Sequence, residues 1–302
     1  MRDGLLLVDK AAGSTSHDVV QACRRILGQK KIGHCGTLDP AATGLLLLTC
    51  GKATRLTRFL IRAPKVYEGT IRFGIETDTY DASGAVVSEG DIRTLDQETI
   101  DREMRRFEGD YEQTPPAYSA KKVRGERYFK LAREGREVPR TTSVVQVFEF
   151  ARTAPLAEGR IPFRLGCSSG TYARTLAHDL GQRLGPGAHL EGLRRLQIGG
   201  FELGSAVTLD RLRELAEGDG DLHQGWVDFD DIDLPFEAVA VDLQQEGRFA
   251  NGQTVISREL AAAPGDWVKI ESRRGRFIGV GTVREQIGDG PVRVIQPRIV
   301  FH

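Results

Sequence analysis

The residues best placed to do chemistry stand together in the segment from Gly33 to Gly44, GHCGTLDPAATG. This segment holds one carboxylate, Asp39, which directly precedes a proline and lies between glycines. Glycine permits backbone conformations and close approaches that side chains block, and proline disfavours helix at the residue before it. The pattern therefore predicts an acid on a shaped, poorly shielded loop beside His34. An Asp-Pro pair alone is more typical of a turn, so the chemical interpretation depends on other segments.

The composition restricts the class of protein. The chain has 302 residues, of which 40% are hydrophobic and 28% charged, as is ordinary for a soluble globular protein with one large and one smaller domain. No window approaches the roughly 18 uninterrupted apolar residues that a membrane span needs. The four cysteines, Cys23, Cys35, Cys50 and Cys167, form no CxxC pair. These features predict a cytoplasmic protein without a metal site, a disulfide framework or a membrane partner.

The formal net charge of zero hides a strong segregation of charge. Residues 208–246 contain twelve Asp or Glu and only two Arg, a net charge of −10. Because the whole chain sums to zero, the remainder carries +10. A basic remainder suits a phosphate-bearing partner, although charge segregation also serves solubility.

The elements that must position Asp39 follow from hydrophobic periodicity and capping residues. The predicted strands are Gly4–Asp9, Leu45–Thr49, Lys65–Gly74, Thr142–Arg152, Arg160–Ser168 and Leu193–Leu203. The predicted helices run from a cap at Thr15 or Ser16 to about Leu27, and over Gly51–Leu60, Thr94–Phe107, Tyr172–Leu184 and Thr208–Glu217. From Glu237 onwards, short alternating runs rich in Gly, Val and Arg predict a small all-β barrel.

Three further segments give the Asp39 loop a specific context. They are KVYEG at 65–69, CSSGTYARTL at 167–176 followed by HDLG at 178–181, and GAHL at 187–190 with LRRL at 193–196. Together with the Asp39 loop they closely resemble the TruB family, the bacterial tRNA pseudouridine-55 synthases, which isomerise the uridine of the TΨC arm. The resemblance runs from Gly4 to about Leu203 and includes PPAYSAK at 115–121. The tail resembles the small RNA-binding PUA domain that follows such catalytic domains.

The resemblance implies an α+β fold in two domains. Residues 1–233 would form the pseudouridine-synthase domain, a large mixed and mostly antiparallel sheet flanked by helices, and residues 234–302 the PUA barrel. Within the first domain, residues 121–140 correspond to a thumb that closes on RNA. This stretch has eight Lys or Arg against three Glu, which favours phosphate contact. Lys121, Lys122 and Arg124 are its implied substrate-binding residues.

The resemblance also implies the roles of three catalytic residues. Asp39 would be a nucleophile that forms a transient covalent bond, either to the uracil C6 or to the ribose C1′; the sequence leaves both open. Arg174 would keep that carboxylate charged and oriented. Tyr67 would stack on the flipped base and stand near C5, where a proton is finally lost. The reaction needs no metal and no cofactor.

Three more residues are implied in substrate binding. Tyr172 resembles the family's second aromatic residue in the uracil pocket, and Leu193 the residue at its wall. His34 resembles the residue that enters the space where the target base was stacked. A base must leave the stack to be reached, at a cost of a few kcal/mol.

Three alternatives stay open at this point. The chain could be a non-catalytic RNA-binding or tRNA-folding protein, although binding alone requires none of Asp39, Tyr67 and Arg174. It could instead be a synthase that depends on a guide RNA. Cys35, four residues before Asp39, could be a nucleophile towards uracil C6, but no glycine-rich S-adenosylmethionine loop accompanies it. The leading interpretation is an enzyme that acts on tRNA as a monomer, without an obligate protein partner.

Overall fold

The computed structural model describes residues 2–116, 122–123, 126–128, 134, 136, 141–218 and 223–301. Its strands are β1 (Gly4–Lys10), β2 (Ile32–His34), β3 (Thr43–Cys50), β4 (Lys65–Phe73), β5 (Ile75–Thr77), β6 (Val86–Glu89), β7 (Gly109–Gln113), β8 (Lys122–Val123), β9 (Glu126–Arg127), β10 (Ser143–Arg152), β11 (Arg160–Cys167), β12 (Ala188–Ile198), β13 (Phe201–Glu202), β14 (Trp226–Asp228), β15 (Ala238–Val241), β16 (Val255–Ser257), β17 (Trp267–Ser272), β18 (Phe277–Gln286) and β19 (Arg293–Val300). The α-helices are α1 (Ser16–Ile26), α2 (Thr57–Leu60), α3 (Gln97–Arg105), α4 (Ala173–Leu184), α5 (Leu209–Glu217) and α6 (Leu243–Ala250). Short 3₁₀ helices cover Gly51–Leu56, Leu203–Ser205 and Phe229–Asp231.

A mixed, mostly antiparallel sheet organises the larger part of the chain, as predicted. In the described part it has ten strands, with the order β14-β1-β3-β12-β4-β11-β10-β7 and with β2 and β13 pairing to β3 and β12. All its neighbours are antiparallel except β3 and β12, which run parallel. Strand β12 lies in the middle of the sheet, so β3 and β4 flank it. This order places the Asp39 loop, which precedes β3, one strand away from Tyr67 on β4, with β12 between them.

Helices cover the faces of this sheet where its side chains are apolar. Helix α1 begins with a capping box in which Thr15 and Asp18 satisfy each other's backbone amides, an arrangement worth about 1 kcal/mol. It buries Val19, Val20 and Cys23 against β1 and β3. Helix α4 packs Leu176 and Leu180 onto the other face, and Gly185 ends it with φ +102°. Since α4 starts at residue 173, Arg174 lies in its first turn.

Two of the predicted elements differ most from the structure, and the predicted helix over 94–107 is shorter, at Gln97–Arg105. The predicted helix over residues 51–60 is a 3₁₀ helix followed by the single turn of α2, because Thr54 and Thr57 donate their hydroxyls to carbonyls three residues earlier. The predicted strand over 193–203 instead begins at Ala188 and ends at Ile198. Gly199, with φ +55°, and Gly200 then turn the chain back into β13.

The C-terminal part forms a separate five-stranded sheet with the order β15-β17-β18-β19-β16, which agrees with the predicted PUA-like barrel. Helix α6 was not predicted within it; Asp242 caps this helix and Phe249 anchors it in the core. The C-terminal sheet packs on the larger unit through an aromatic contact, with the rings of Phe59 and Trp267 4.9 Å apart. Among the described residues, no helix is long and apolar enough to cross a membrane.

Candidate active site

The loop that carries Asp39 joins β2 to β3, and buried polar side chains hold it in place through hydrogen bonds to its backbone. The ammonium of Lys10, only 1% exposed, donates to the carbonyls of Pro40 (3.2 Å) and Ala42 (2.6 Å). The hydroxyl of Ser16 accepts from the amide of Leu38 at 2.8 Å. Buried polar groups need such partners, so each of these bonds also selects one loop conformation. The loop is therefore held on both sides of Asp39.

The Asp39 carboxylate forms an ion pair with Arg174. The Arg174 Nε lies 3.0 Å from Asp39 Oδ2, and its Nη1 lies 3.3 Å from Asp81 Oδ2 and 3.3 Å from the Thr79 carbonyl. The arginine side chain is 6% exposed, whereas that of Asp39 is 44% exposed. One guanidinium thus holds two carboxylates, and the Asp39 carboxylate keeps an open side towards solvent.

That open side faces a cleft of about 480 Å³. Residues of every predicted catalytic segment line it: Gly36, Thr37, Leu38, Asp39, Ile61, Lys65, Tyr67, Pro115, Ser143, Ser169, Gly170, Thr171, Tyr172, Ala173, Arg174, Leu193 and Arg195. Tyr67 comes from β4, Leu193 from β12 and Tyr172 from the residue before α4. The amide of Tyr172 donates to Gln113 Oε1 at 3.0 Å, which ties the start of α4 to the end of β7.

The ionisable groups of the cleft have shifted pKa values. Burial raises the pKa of the Asp39 carboxyl above its usual range, while Arg174 opposes this shift and Asp81 adds to it. Burial also raises the pKa of the Tyr67 phenol, which keeps it neutral before reaction. Burial lowers the pKa of Lys65 to about 8. Perturbed values of this kind are typical of catalytic sites, where acids and bases are tuned by desolvation and neighbours.

Most of the predicted site residues therefore meet at one cleft. Asp39, Tyr67, Tyr172, Arg174 and Leu193 all line it, although they come from four separate segments. The arrangement offers a carboxylate, a paired cation and two aromatic rings around a space that suits a nucleobase. Among the described residues, no three His, Cys, Asp or Glu side chains are grouped to hold a metal ion.

The other predicted site residues are His34 and three cations of the thumb segment. His34 is on β2, where it pairs with Leu48, and it is outside the cleft lining. In the thumb segment, Lys121, Arg124 and the side chain of Lys122 lie outside the described residues.

The described part of the thumb segment contains an internal ion-pair network. Arg136, one of its eight cations, pairs with Glu126 at 2.9 Å and with Glu134 at 3.2 Å. Tyr128, 1% exposed, bonds through its hydroxyl to Thr141 at 2.8 Å. Part of the charge in this segment is therefore balanced within the protein.

Cys35, the first residue of the Asp39 loop, is fully buried. Its amide donates to the Leu47 carbonyl at 2.8 Å, and burial raises the pKa of its thiol to about 12. A thiol with that pKa is protonated at neutral pH and is a poor nucleophile. Its position and its protonation both favour a passive packing role.

Asp81 and Arg195 border the site but were not assigned roles from the sequence. Asp81 follows Tyr80, whose φ of +63° is unusual for a bulky residue. The signal for Asp81 was a second carboxylate in a short Thr- and Asp-rich stretch, TDTYD at 77–81. Arg195 belongs to the LRRL segment, but only the register of β12 reveals which of its two arginines points to the cleft.

Comparison with known proteins places this geometry in a family. The TruB family pseudouridylate synthase (N terminal domain) matches residues 24–173. The tRNA pseudouridylate synthase B C-terminal domain matches residues 174–238, and the Pseudouridine synthase II TruB, C-terminal domain matches residues 238–298.

Curated relatives agree with these matches. A tRNA pseudouridine synthase B of Streptococcus thermophilus is 42% identical over 283 residues, which are 91% of this chain and 97% of the relative. One of Opitutus terrae is 50% identical over 213 residues, 70% of this chain and 88% of the relative. A solved H/ACA RNP bound to a substrate RNA containing 2′-deoxyuridine has a chain that shares the fold, with a TM-score of 0.77, 22% identity, and coverage of 99% of this chain and 85% of that one. The chain belongs to the TruB family of pseudouridine synthases.

Proposed function

We propose that this protein converts uridine 55 in the TΨC arm of tRNA into pseudouridine, with Asp39 as nucleophile and without a metal or cofactor. The observation that carries the proposal is the Asp39 carboxylate, paired with Arg174 at 3.0 Å and open to a cleft that Tyr67 lines. The names of the curated relatives support tRNA as the substrate. The choice of uridine 55 rests on the resemblance of the sequence motifs.

The reaction is an isomerisation that balances without an oxidant or reductant. The bond between N1 of uracil and C1′ of ribose breaks, the base turns, and a bond between C5 and C1′ forms. C5 then loses its proton and N1 gains one. Asp39 assists by forming a transient bond to C6 or to C1′, which later breaks and returns the carboxylate.

Arg174 makes this covalent chemistry possible at neutral pH. Desolvation alone favours the protonated form of Asp39, which cannot attack. The guanidinium, itself 6% exposed, favours the ionised form and fixes the direction of one oxygen. The other oxygen is free to face the nucleoside on the open side of the cleft.

Tyr67 and Tyr172 provide the aromatic surfaces that a flipped pyrimidine requires. Stacking on an aromatic side chain is worth about 1–3 kcal/mol per base, which offsets part of the cost of leaving the RNA stack. We assign Tyr67 a second role near C5, where its neutral phenol oxygen accepts the C5 proton as its own hydroxyl proton passes to solvent, so that Tyr67 ends the step neutral. His34, outside the cleft lining, is assigned to fill the space that the base leaves.

The test is the release of tritium from uridine labelled at C5 in a bare TΨC-arm transcript, with no other RNA or protein added. The proposal predicts release of one tritium per transcript, and none when uridine 55 is replaced by cytidine and the other uridines keep their label. Release only after adding a guide RNA would favour the guide-dependent alternative. Tight binding with no release would favour the non-catalytic one.

A further inference from the structure

Arg195 is the largest fully buried side chain among the described residues, at 1% exposed. It lies on β12, between β3 and β4, and its guanidinium reaches the floor of the cleft. Its register partner on β4 is Tyr67, and its parallel partner on β3 is Gly44. Residues opposite each other in paired strands project to the same face of the sheet. Arg195 therefore stands between Tyr67 and the segment that carries Asp39.

The guanidinium donates to three backbone carbonyls on the nucleophile side. Its Nε lies 2.7 Å from the Leu45 oxygen, its Nη2 3.1 Å from that of Gly36, and its Nη1 3.4 Å from that of Thr37. Gly36 and Thr37 precede Asp39 in its loop, and Leu45 is the third residue of β3, the strand that follows. The same cation acts electrostatically on the Tyr67 phenol, lowering its pKa against the larger effect of burial.

The chemistry of arginine suits this position better than that of any other side chain. The planar guanidinium holds five N–H donors in a fixed fork, so the distances among its partners are fixed as well. A lysine ammonium is a flexible point charge and would not hold the same three carbonyls in one plane. The backbones of β3 and β12 also lie close together at this point, since a Cβ on Gly44 would lie 2.3 Å from the Arg195 carbonyl oxygen.

We propose that Arg195 is a positioning residue that fixes the Asp39 loop relative to Tyr67, so that the nucleophile and the Tyr67 ring meet the uridine together. It acts through backbone carbonyls and does not touch the substrate's reacting atoms. The proposal rests on the proposed function for its kinetic part, while its structural part concerns the loop alone. It differs from the role of Arg174, which acts directly on the Asp39 carboxylate.

The first test is Arg195→Lys, with Arg194→Lys as the matched control from the same strand. Arg194 is 42% exposed and pairs with Asp9 at 2.7 Å, on the surface of the sheet. We expect Arg195→Lys to lower kcat by about 10- to 100-fold, the effect of a small misplacement of a reacting group, while the Kd for tRNA stays at the wild-type value. We expect Arg194→Lys to keep both kcat and the Kd for tRNA at their wild-type values. An unchanged kcat, or a loss of kcat matched by an equal loss of tRNA binding, would overturn the proposal.

A second variant strains the loop backbone at Gly36, whose carbonyl Arg195 binds. Gly36→Ala places a side chain at φ +123°, with its Cβ in ordinary contact with Lys65 Cε (3.5 Å) and Arg195 Nη1 (3.6 Å), whereas the control Gly28→Ala places one at φ +58° with no atom within 4 Å. We expect Gly36→Ala to lower kcat and the double variant with Arg195→Lys to be no slower than the slower single one. If the fold-losses in kcat of the two single variants multiply in the double variant, the two residues act independently, which contradicts the proposal.

A readout without substrate separates this inference from the proposed function. Hydrogen exchange of the peptide covering residues 35–42 should be faster in Arg195→Lys than in wild type, and unchanged in Arg194→Lys. Equal exchange in Arg195→Lys and wild type would overturn the positioning role even if the rate falls. Absence of tritium release by the wild type would instead overturn the proposed function, and the exchange experiment would still decide on the loop.

Discussion

Replacing Arg174 by methionine removes the cation that opposes the desolvation of Asp39. Two unit charges about 4 Å apart interact by about 4 kcal/mol at an effective dielectric constant of about 20. The Asp39 side chain is 44% exposed and shares the guanidinium with Asp81, so solvent and competition reduce this value. We take about half of this interaction energy, or about 2 kcal/mol, which corresponds to a change of about 1.5 units in the pKa of Asp39.

The direction in which the pH profile shifts follows from the charge state of Asp39 that the reaction needs. Arg174 lowers the pKa of Asp39, so its removal raises that pKa further above the usual carboxyl range. Only the ionised carboxylate attacks, hence activity is lost as pH falls through the pKa. We therefore expect the acid limb of kcat/KM to move upward by about 1 to 2 pH units in Arg174→Met.

The assay is tritium release from C5-labelled tRNA measured across pH 4 to 9. Arg174→Lys keeps the charge and should move the acid limb less than Arg174→Met. Arg183→Met is the matched control, because Arg183 lies on the same helix, exposed and over the ring of Phe107, away from Asp39. An acid limb that stays in place in Arg174→Met, with the enzyme folded, would refute the electrostatic argument.

Three further predictions concern the cysteine, the thumb and stability. Cys35→Ala should keep kcat near the wild-type value in the tritium assay, and an inactive variant would revive the thiol nucleophile. Charge reversal of Lys121, Lys122 and Arg124 to Glu should weaken tRNA binding and flatten the slope of log Kd against log salt in filter binding; an unchanged slope would dismiss their phosphate contacts. Because the native pKa of Asp39 is raised, its charge costs stability above that pKa and the cost fades as pH falls through it. Asp39→Asn should therefore melt at a higher temperature than wild type at pH 8, with a smaller difference near pH 4, and an equal or lower melting temperature at pH 8 would contradict this.

Much of the site was predictable from local patterns. Gly36 and Gly44 adopt positive φ values around the Asp39 loop, as an acid on a loop shaped by glycines requires. The strand of Tyr67 follows from period-two alternation, and the helix of Arg174 from its apolar face and the glycine that ends it. These features are local, so sequence reasoning reaches them.

The contacts across the sheet were not predictable in the same way. That Arg195 faces the cleft and Arg194 the surface depends on the register of β12 against β4, which includes two irregularities. A shift by one residue exchanges the faces of the strand, and no local pattern fixes it here. Likewise, Asp81 meets Arg174 across 93 residues of sequence through a loop with an unusual backbone conformation at Tyr80.

Asp39→Asn tests the central claim most directly, because the amide keeps the shape of the side chain but cannot act as the nucleophile. The measurement is single-turnover tritium release from C5-labelled tRNA, with filter binding of the same tRNA in parallel. We expect no release above the rate without enzyme, and a tRNA Kd close to the wild-type value. Release by Asp39→Asn at a rate near that of wild type would contradict the account.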